Sequence, residues 1–270
     1  MTKPGDITLD VPRFLLKDSL NRKIRAGIIS NSRGILAGIE DMENQALALG
    51  LEVNINSKTG DEVFPGEQIA SFLGDPMQII RGEDSLLGII SKVSGIATAA
   101  RQAITSAGKV QVVSGGWKKV PPGMKEYVRK GLIAGGVFIR MLPEPFVYLD
   151  KNYLRILGSL ETEINIGHTL PGRSIVVQLR GETAAIDDEA CHAAQLGAKV
   201  VMIDTGSIED LRKCAMALRA EGLREKVKLA FGGGVKLEEL PHFQAEDLEF
   251  VDIGRAILDA PMLDFRYDVI

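Results

Sequence analysis

Gly232, Gly233 and Gly234 follow the apolar run 227–231 (VKLAF) and stand before a helical pattern. Glycines in that place let the backbone approach a ligand closely, and the free N–H groups of a helix start attract an anion. Gly254 and Arg255 end the next apolar run, 250–253 (FVDI), in the same way. Two glycine-marked loops after consecutive strands match the two-loop phosphate site of α/β barrels; tight turns without a ligand are the plain alternative. Lys118 and Lys119 lie in a loop containing Gly115, Gly116 and Gly123. Adjacent ammonium groups repel unless solvent or an anion intervenes. The pair therefore reads as a clamp on phosphate or pyrophosphate, or else as a solvated surface pair. Asp204 ends the run 199–204 (KVVMID), where a carboxylate can hold a divalent ion that bridges phosphate oxygens. Its alternative role is to cap the following helix, a role equally open to Ser207. His168, His192 and His242 share no partner spacing, neither Cys191 nor Cys214 has a nucleophile's context, and Trp117 could stack on a flat ligand or simply pack.

The elements that must position these groups change character along the chain. Residues 1–108 read as an α+β module. Strands are expected at 23–30, 51–56, 68–73 and 77–80, and helices at 39–49 and 83–107, the second with Gly95 inside it. A mid-helix glycine costs about 1 kcal/mol against alanine, so Gly95 marks close packing, a break, or tolerance. From residue 109 to 259 short apolar runs at 110–113, 137–140, 174–179, 199–204, 227–231 and 250–253 alternate with amphipathic stretches at 124–132, 183–196, 208–221 and 237–244. Continuous apolar strands alternating with helices imply a parallel sheet covered on both faces, whose chemistry collects at the C-terminal ends of the strands. Residues 260–270 fit no further unit and are expected to return to the first domain.

Composition narrows the function classes. The chain has 270 residues, 45% of them hydrophobic and 25% charged, with a net charge of −4. Such a balance gives no bulk attraction to nucleic acid or to a membrane surface, so an anion site must be a local concentration of Lys, Arg and backbone N–H groups. Two widely spaced cysteines argue against a disulfide framework or a zinc site. No run approaches membrane-spanning length, and the polar first ten residues lack the apolar region of a signal peptide; a cytoplasmic location is the expectation.

Taken together the motifs resemble quinolinate phosphoribosyltransferase, the decarboxylating enzyme of NAD biosynthesis, over nearly the full length. The residues that carry the resemblance are GDIT at 5–8, RGILAG at 33–38, SGIAT at 94–98 and the loop with Lys118, Lys119, Pro122 and Gly123. Gly135, Gly136, Arg140, Asp204 and the triple glycine complete it. The resemblance implies an α/β fold: an N-terminal α+β sandwich domain and an open α/β barrel of the type II phosphoribosyltransferase kind. It also implies a homodimer or higher homo-oligomer with shared sites, and Mg²⁺ accompanying phosphoribosyl pyrophosphate as co-substrate. On the family's pattern Lys119 and Asp204 are the catalytic groups, with Asp204 at the metal. Lys118, Arg140, Lys151, Gln178, Gly232, Gly233, Gly234, Gly254 and Arg255 bind substrate.

Several positions depart from that pattern. Lys118 stands for the family's Arg, Ile139 for a His before Arg140, and Gln178 for an acidic metal-associated residue. Asp84 stands for an Arg that reaches the neighbouring subunit's site, and Asp150-Lys151-Asn152-Tyr153 for a Lys-Asp-Asn-His run. The phosphate parts are kept while the cations expected around a dicarboxylate are fewer. The resulting expectation is phosphoribosyl transfer to a pyridine-type or related nitrogen heterocycle other than quinolinate, with one carboxylate or none. A binding homologue without transferase activity is the rival. An aldolase-like lyase fits poorly, because Lys199 starts its strand rather than ending it.

Overall fold

The computed structural model describes residues 10–270, which divide into two compact units. The GDIT segment lies outside the described residues. The first unit runs to Thr98 and takes in Ala260–Ile270. Its antiparallel sheet has the order Phe265–Val269, Ile24–Ser30, Gln68–Gly74, Glu52–Ile55. Alternation along Gln68–Gly74 buries Ala70 and Phe72, and a register irregularity opposite Ile28 and Ile29 buries Ile69 as well, in a core with Ile28, Met42, Leu86 and Ile90. Helix Ile39–Ala48 supplies Met42, and helix Pro76–Ala107 supplies Leu86 and Ile90. The unit division falls inside this long helix, after Thr98.

The expected strand at 77–80 is instead the first turn of that helix. Asp75 Oδ1 accepts the Gln78 N–H at 2.9 Å, and Gln78 Oε1 accepts the Asp75 N–H at 2.8 Å. This reciprocal cap, with Pro76 as the first helical residue, starts a helix where apolar content alone suggested a strand. The helix continues unbroken through Gly95. A Cβ there would lie 2.0 Å from the Pro261 carbonyl oxygen, so close packing explains the glycine. Around it SGIAT and RGILAG meet: the Ala37 N–H donates to Ser94 Oγ and the Ile35 N–H to Thr98 Oγ1, each at 2.9 Å.

The second unit, Ala99–Asp259, holds a six-stranded parallel sheet. Its order is Gln111–Val113, Phe250–Asp252, Lys228–Phe231, Val200–Ile203, Ser174–Leu179, Phe146–Leu149. Val200–Ile203 is buried at all four positions, as a strand covered on both faces must be. The mixed α/β architecture with an open parallel sheet agrees with the sequence reading. Two details differ. The run 137–140 contributes only a bridge, Val113 to Phe138, after which the chain leaves the sheet. Phe146–Leu149, just after Pro143 and Pro145, forms the far edge strand. The helix expected from 183 begins at Ile186, because Glu189 accepts the N–H groups of Gly181, Thr183 and Ala184 and holds that stretch as a loop. The run 237–244 is a 3₁₀ segment, Leu237–Ala245, with Pro241 inside it. Among the described residues no helix is long and apolar enough to cross a membrane.

Candidate active site

The six strands end around one cavity of about 900 Å³ within the second unit. Each strand end delivers a distinct group. Gln111–Val113 leads to Gly115, Gly116, Lys118 and Lys119; Phe146–Leu149 to Asp150 and Lys151; Ser174–Leu179 to Gln178 and Arg180. Val200–Ile203 leads to Asp204 and Thr205, Lys228–Phe231 to Gly233 and Gly234, and Phe250–Asp252 to Asp252, Gly254 and Arg255.

The glycine loops are in backbone contact. Gly206 (φ +73°) and Gly233 (φ +105°) lie so close that a Cβ on Gly233 would sit 2.4 Å from the Gly206 nitrogen. The Gly206 N–H donates to the Gly232 carbonyl at 3.0 Å. On the other side of the cavity a Cβ on Gly116 would lie 3.1 Å from the Gly254 Cα. Gly232 does not line the cavity; its missing side chain leaves room for Met202 Cε, which a Cβ would meet at 2.4 Å. The triple glycine thus contributes two cavity residues, Gly233 and Gly234, and one packing residue.

A hydrogen-bonded chain joins three of the strand ends. The Lys151 backbone N–H donates to Gln178 Oε1 at 3.1 Å, and Gln178 Nε2 donates to Asp204 Oδ2 at 2.5 Å. Arg180 Nη1 stands 3.8 Å from the same Asp204 oxygen. Burial pushes the Asp204 carboxyl above the usual range, while Arg180, Gln178, Lys151 and Lys119 pull it back. Ser207 caps the next helix by accepting the Asp210 N–H, which leaves Asp204 outside the cap. Asp252 Oδ1 accepts the Gly115 N–H at 3.0 Å; burial raises its pKa, and the neighbouring Asp204 charge raises it further.

Cations line the same space. Among the described residues none of Lys118, Lys119 and Lys151 makes an ion pair with a carboxylate side chain. Three unpaired ammonium groups beside backbone N–H groups form a site for a polyanion. Arg255 is different: it is exposed and paired with Asp259 at 2.8 Å. Arg140 lies apart from Asp204, in an adjoining cavity of about 250 Å³ lined by Trp117, Ile139, Met141, Phe146 and Tyr148. Its guanidinium lies 5.3 Å from the Phe146 ring centroid. Lys118, Tyr148, Gly115 and Asp252 line both cavities. Asp252 and Tyr148 escaped the sequence reading. The lone acid in the apolar run FVDI, parallel to Asp204 in VMID, was the available signal for the first. Tyr148 sits on the strand that the sequence reading did not include.

The carboxylates bear on a metal. Among the described residues no three His, Cys, Asp or Glu side chains converge on one point. Mg²⁺ is commonly held by one or two carboxylates plus substrate phosphates and water. Asp204 and Asp252, flanked by unpaired lysines, fit an ion that arrives with a phosphorylated ligand rather than a resident one.

Comparison with known proteins gives a consistent result. Residues 6–94 match the family described as quinolinate phosphoribosyl transferase, N-terminal domain, and residues 96–268 match its C-terminal domain. A nicotinate-nucleotide pyrophosphorylase (carboxylating) of Rattus norvegicus is 29% identical over 245 residues, 89% of this chain and 80% of that one. An Archaeoglobus fulgidus protein bearing the name "Probable nicotinate-nucleotide pyrophosphorylase (carboxylating)" is 29% identical over 92% of this chain and 95% of its own length. In fold, the nicotinate-nucleotide pyrophosphorylase structure from Francisella tularensis has a TM-score of 0.80 at 19% identity, covering 100% of this chain and 98% of that one. These findings overturn the expectation of an acceptor other than quinolinate: the matching family is named for quinolinate, and its curated relatives are carboxylating pyrophosphorylases. Besides Lys118 and Lys151, which the sequence reading gave to substrate, Arg180 also lines the cavity and had no role in that reading.

Proposed function

The chain belongs to the quinolinate phosphoribosyl transferase family, whose members are pentosyltransferases, and on that premise we propose that it transfers the phosphoribosyl group of phosphoribosyl pyrophosphate to quinolinate. The products are nicotinate mononucleotide, pyrophosphate and carbon dioxide, the last released as the bond from C2 of the pyridine to its carboxyl breaks and C2 takes up a proton from solvent. The observation that carries the reading is the convergence of Lys118, Lys119 and Lys151, all without ion-pair partners among the described residues, on one cavity with two backbone-contacting glycine loops.

The residues divide by role. Lys119, Gly233, Gly234 and Gly254 bind phosphate, and Arg180 and Lys151 add charge around the leaving pyrophosphate. Electrostatic stabilisation of that leaving group supplies most of the catalysis, as the bond from C1 of ribose to the pyrophosphate oxygen breaks and the pyridine nitrogen bonds to C1. Lys118 and Arg140 orient the acceptor carboxylates. Gln178 holds Asp204 and the start of the Lys151 helix in one register. Asp204, with Asp252 beside it, would hold Mg²⁺ carried by the co-substrate, and the ion would supply charge neutralisation at the phosphates. A cytoplasmic homodimer or higher homo-oligomer is the setting we propose, following the family resemblance. Isothermal titration tests the phosphate half: phosphoribosyl pyrophosphate with Mg²⁺ should bind, and Lys119→Ala should weaken that binding tenfold or more. Unchanged affinity would remove Lys119 from the site.

A further inference from the structure

Lys118 and Lys119 are adjacent, yet their surroundings differ. Lys119 lines only the larger cavity, while Lys118 lines both. Lys118 Nζ stands 4.8 Å from the centroid of the Tyr148 ring and 5.9 Å from that of Trp117, and makes no ion pair with a carboxylate side chain among the described residues. An ammonium over an aromatic face is held by the ring's quadrupole without being neutralised. A carboxylate partner would hold it too, but would cancel the charge needed for an anionic ligand. The two partners also differ in rigidity. Tyr148 belongs to a sheet strand in register with Val176, whereas Lys118 belongs to a 3₁₀ turn, Gly116–Lys119, in a loop. A strand-borne ring therefore fixes a loop-borne charge at the place where the two cavities join.

We infer that Tyr148 is a positioning residue for the acceptor: its ring face holds Lys118 at the seam between the cavities, assigning that ammonium to an acceptor carboxylate and leaving Lys119 to the phosphates. The inference deepens the proposed function and rests on it.

The test uses the full chain, with quinolinate and phosphoribosyl pyrophosphate titrated separately by calorimetry and steady-state KM values measured for both. Tyr148→Phe keeps the ring and should stay within about twofold of wild type for either ligand. Tyr148→Leu should weaken quinolinate about tenfold, with phosphoribosyl pyrophosphate within twofold. In a Lys118→Met background, Tyr148→Leu should add nothing further, because its effect runs through Lys118. Equal losses for both ligands, a Tyr148→Phe loss matching that of leucine, or additivity with Lys118→Met would overturn the inference. If Tyr148→Leu does not fold, the Phe variant and the Lys118→Met single variant decide: Lys118→Met must then show the same quinolinate-selective loss. Wild type that binds quinolinate without releasing pyrophosphate removes the reaction alone. Turnover with an unaltered Tyr148→Leu removes this inference alone.

Discussion

At the scale of single residues, the site depends on where charge is left unpaired. Lys118, Lys119 and Lys151 are the clearest cases among the described residues, while Asp204 is held by Gln178 and Arg180. Asp204's sequence position suggested either a ligand or a cap, and Ser207 fills that cap. Gln178 then matters through Asp204: it donates to that carboxylate and accepts the Lys151 N–H, so it ties three strand ends together. Gln178→Leu removes both bonds and leaves half-buried partners unsatisfied, at about 1–3 kcal/mol. The expected outcome is a fall in kcat of about tenfold or more, measured under conditions where the variant stays folded despite that loss of stability. A steady-state comparison of the two proteins checks it, and an unchanged kcat would mean that Asp204 holds its place without Gln178. Asp204 and the glycines were legible from local sequence because each ends or follows an apolar run directly, and Lys119 because it stands in a glycine-rich loop after one. Asp252 was equally well placed but sits within its run, and only the Gly115 hydrogen bond exposes its orientation.

At the scale of elements, two loops pressed together define the phosphate end. Gly233 has both a left-handed φ and no room for a Cβ, while Gly222 has φ +65° with nothing within 4 Å of its would-be Cβ. The pair separates backbone conformation from close approach. Gly222→Ala should cost about 1 kcal/mol from conformation alone. Gly233→Ala should cost about 2 kcal/mol or more and weaken phosphoribosyl pyrophosphate binding as well. Chemical denaturation of both variants checks the order; equal costs would refute the close-approach argument. Elements were read well where an apolar period ran uninterrupted, as in the strands ending at Asp204 and Phe231. They were misread where punctuation and capping outweighed apolar content. Asp75 and Gln78 turned an apolar run into a helix start, and Pro143 and Pro145 obscured the strand that carries Tyr148. The 137–140 run is apolar enough for a strand, but pairing stops at the one Val113 bridge.

At the scale of the whole molecule, one buried group links stability to pH. Glu163 is 1% exposed, and neither carboxylate oxygen has a hydrogen-bond partner. Burial, followed by the Asp150 and Glu189 charges, raises its pKa from 4.5 to about 7. A carboxyl raised in the folded state binds more protons there than in the unfolded chain. Its contribution is therefore complete below about pH 4.5 and is lost as pH rises through 7. The full loss is up to about 3 kcal/mol at 1.36 kcal/mol per pKa unit. Tm should fall between about pH 4.5 and pH 7 in wild type, and Glu163→Gln should flatten that fall; an identical slope in both would mean that Glu163 titrates normally. The family and the open parallel sheet could be recognised from motifs spread along the chain, whereas the acceptor was misread, because departures at matched positions such as Lys118, Ile139 and Asp84 were taken as loss of a dicarboxylate site. The most direct test of the whole account is pyrophosphate release on mixing the folded chain with quinolinate, phosphoribosyl pyrophosphate and Mg²⁺. The account predicts pyrophosphate and nicotinate mononucleotide in equal amounts. A chain that binds phosphoribosyl pyrophosphate yet releases no pyrophosphate with quinolinate would contradict it.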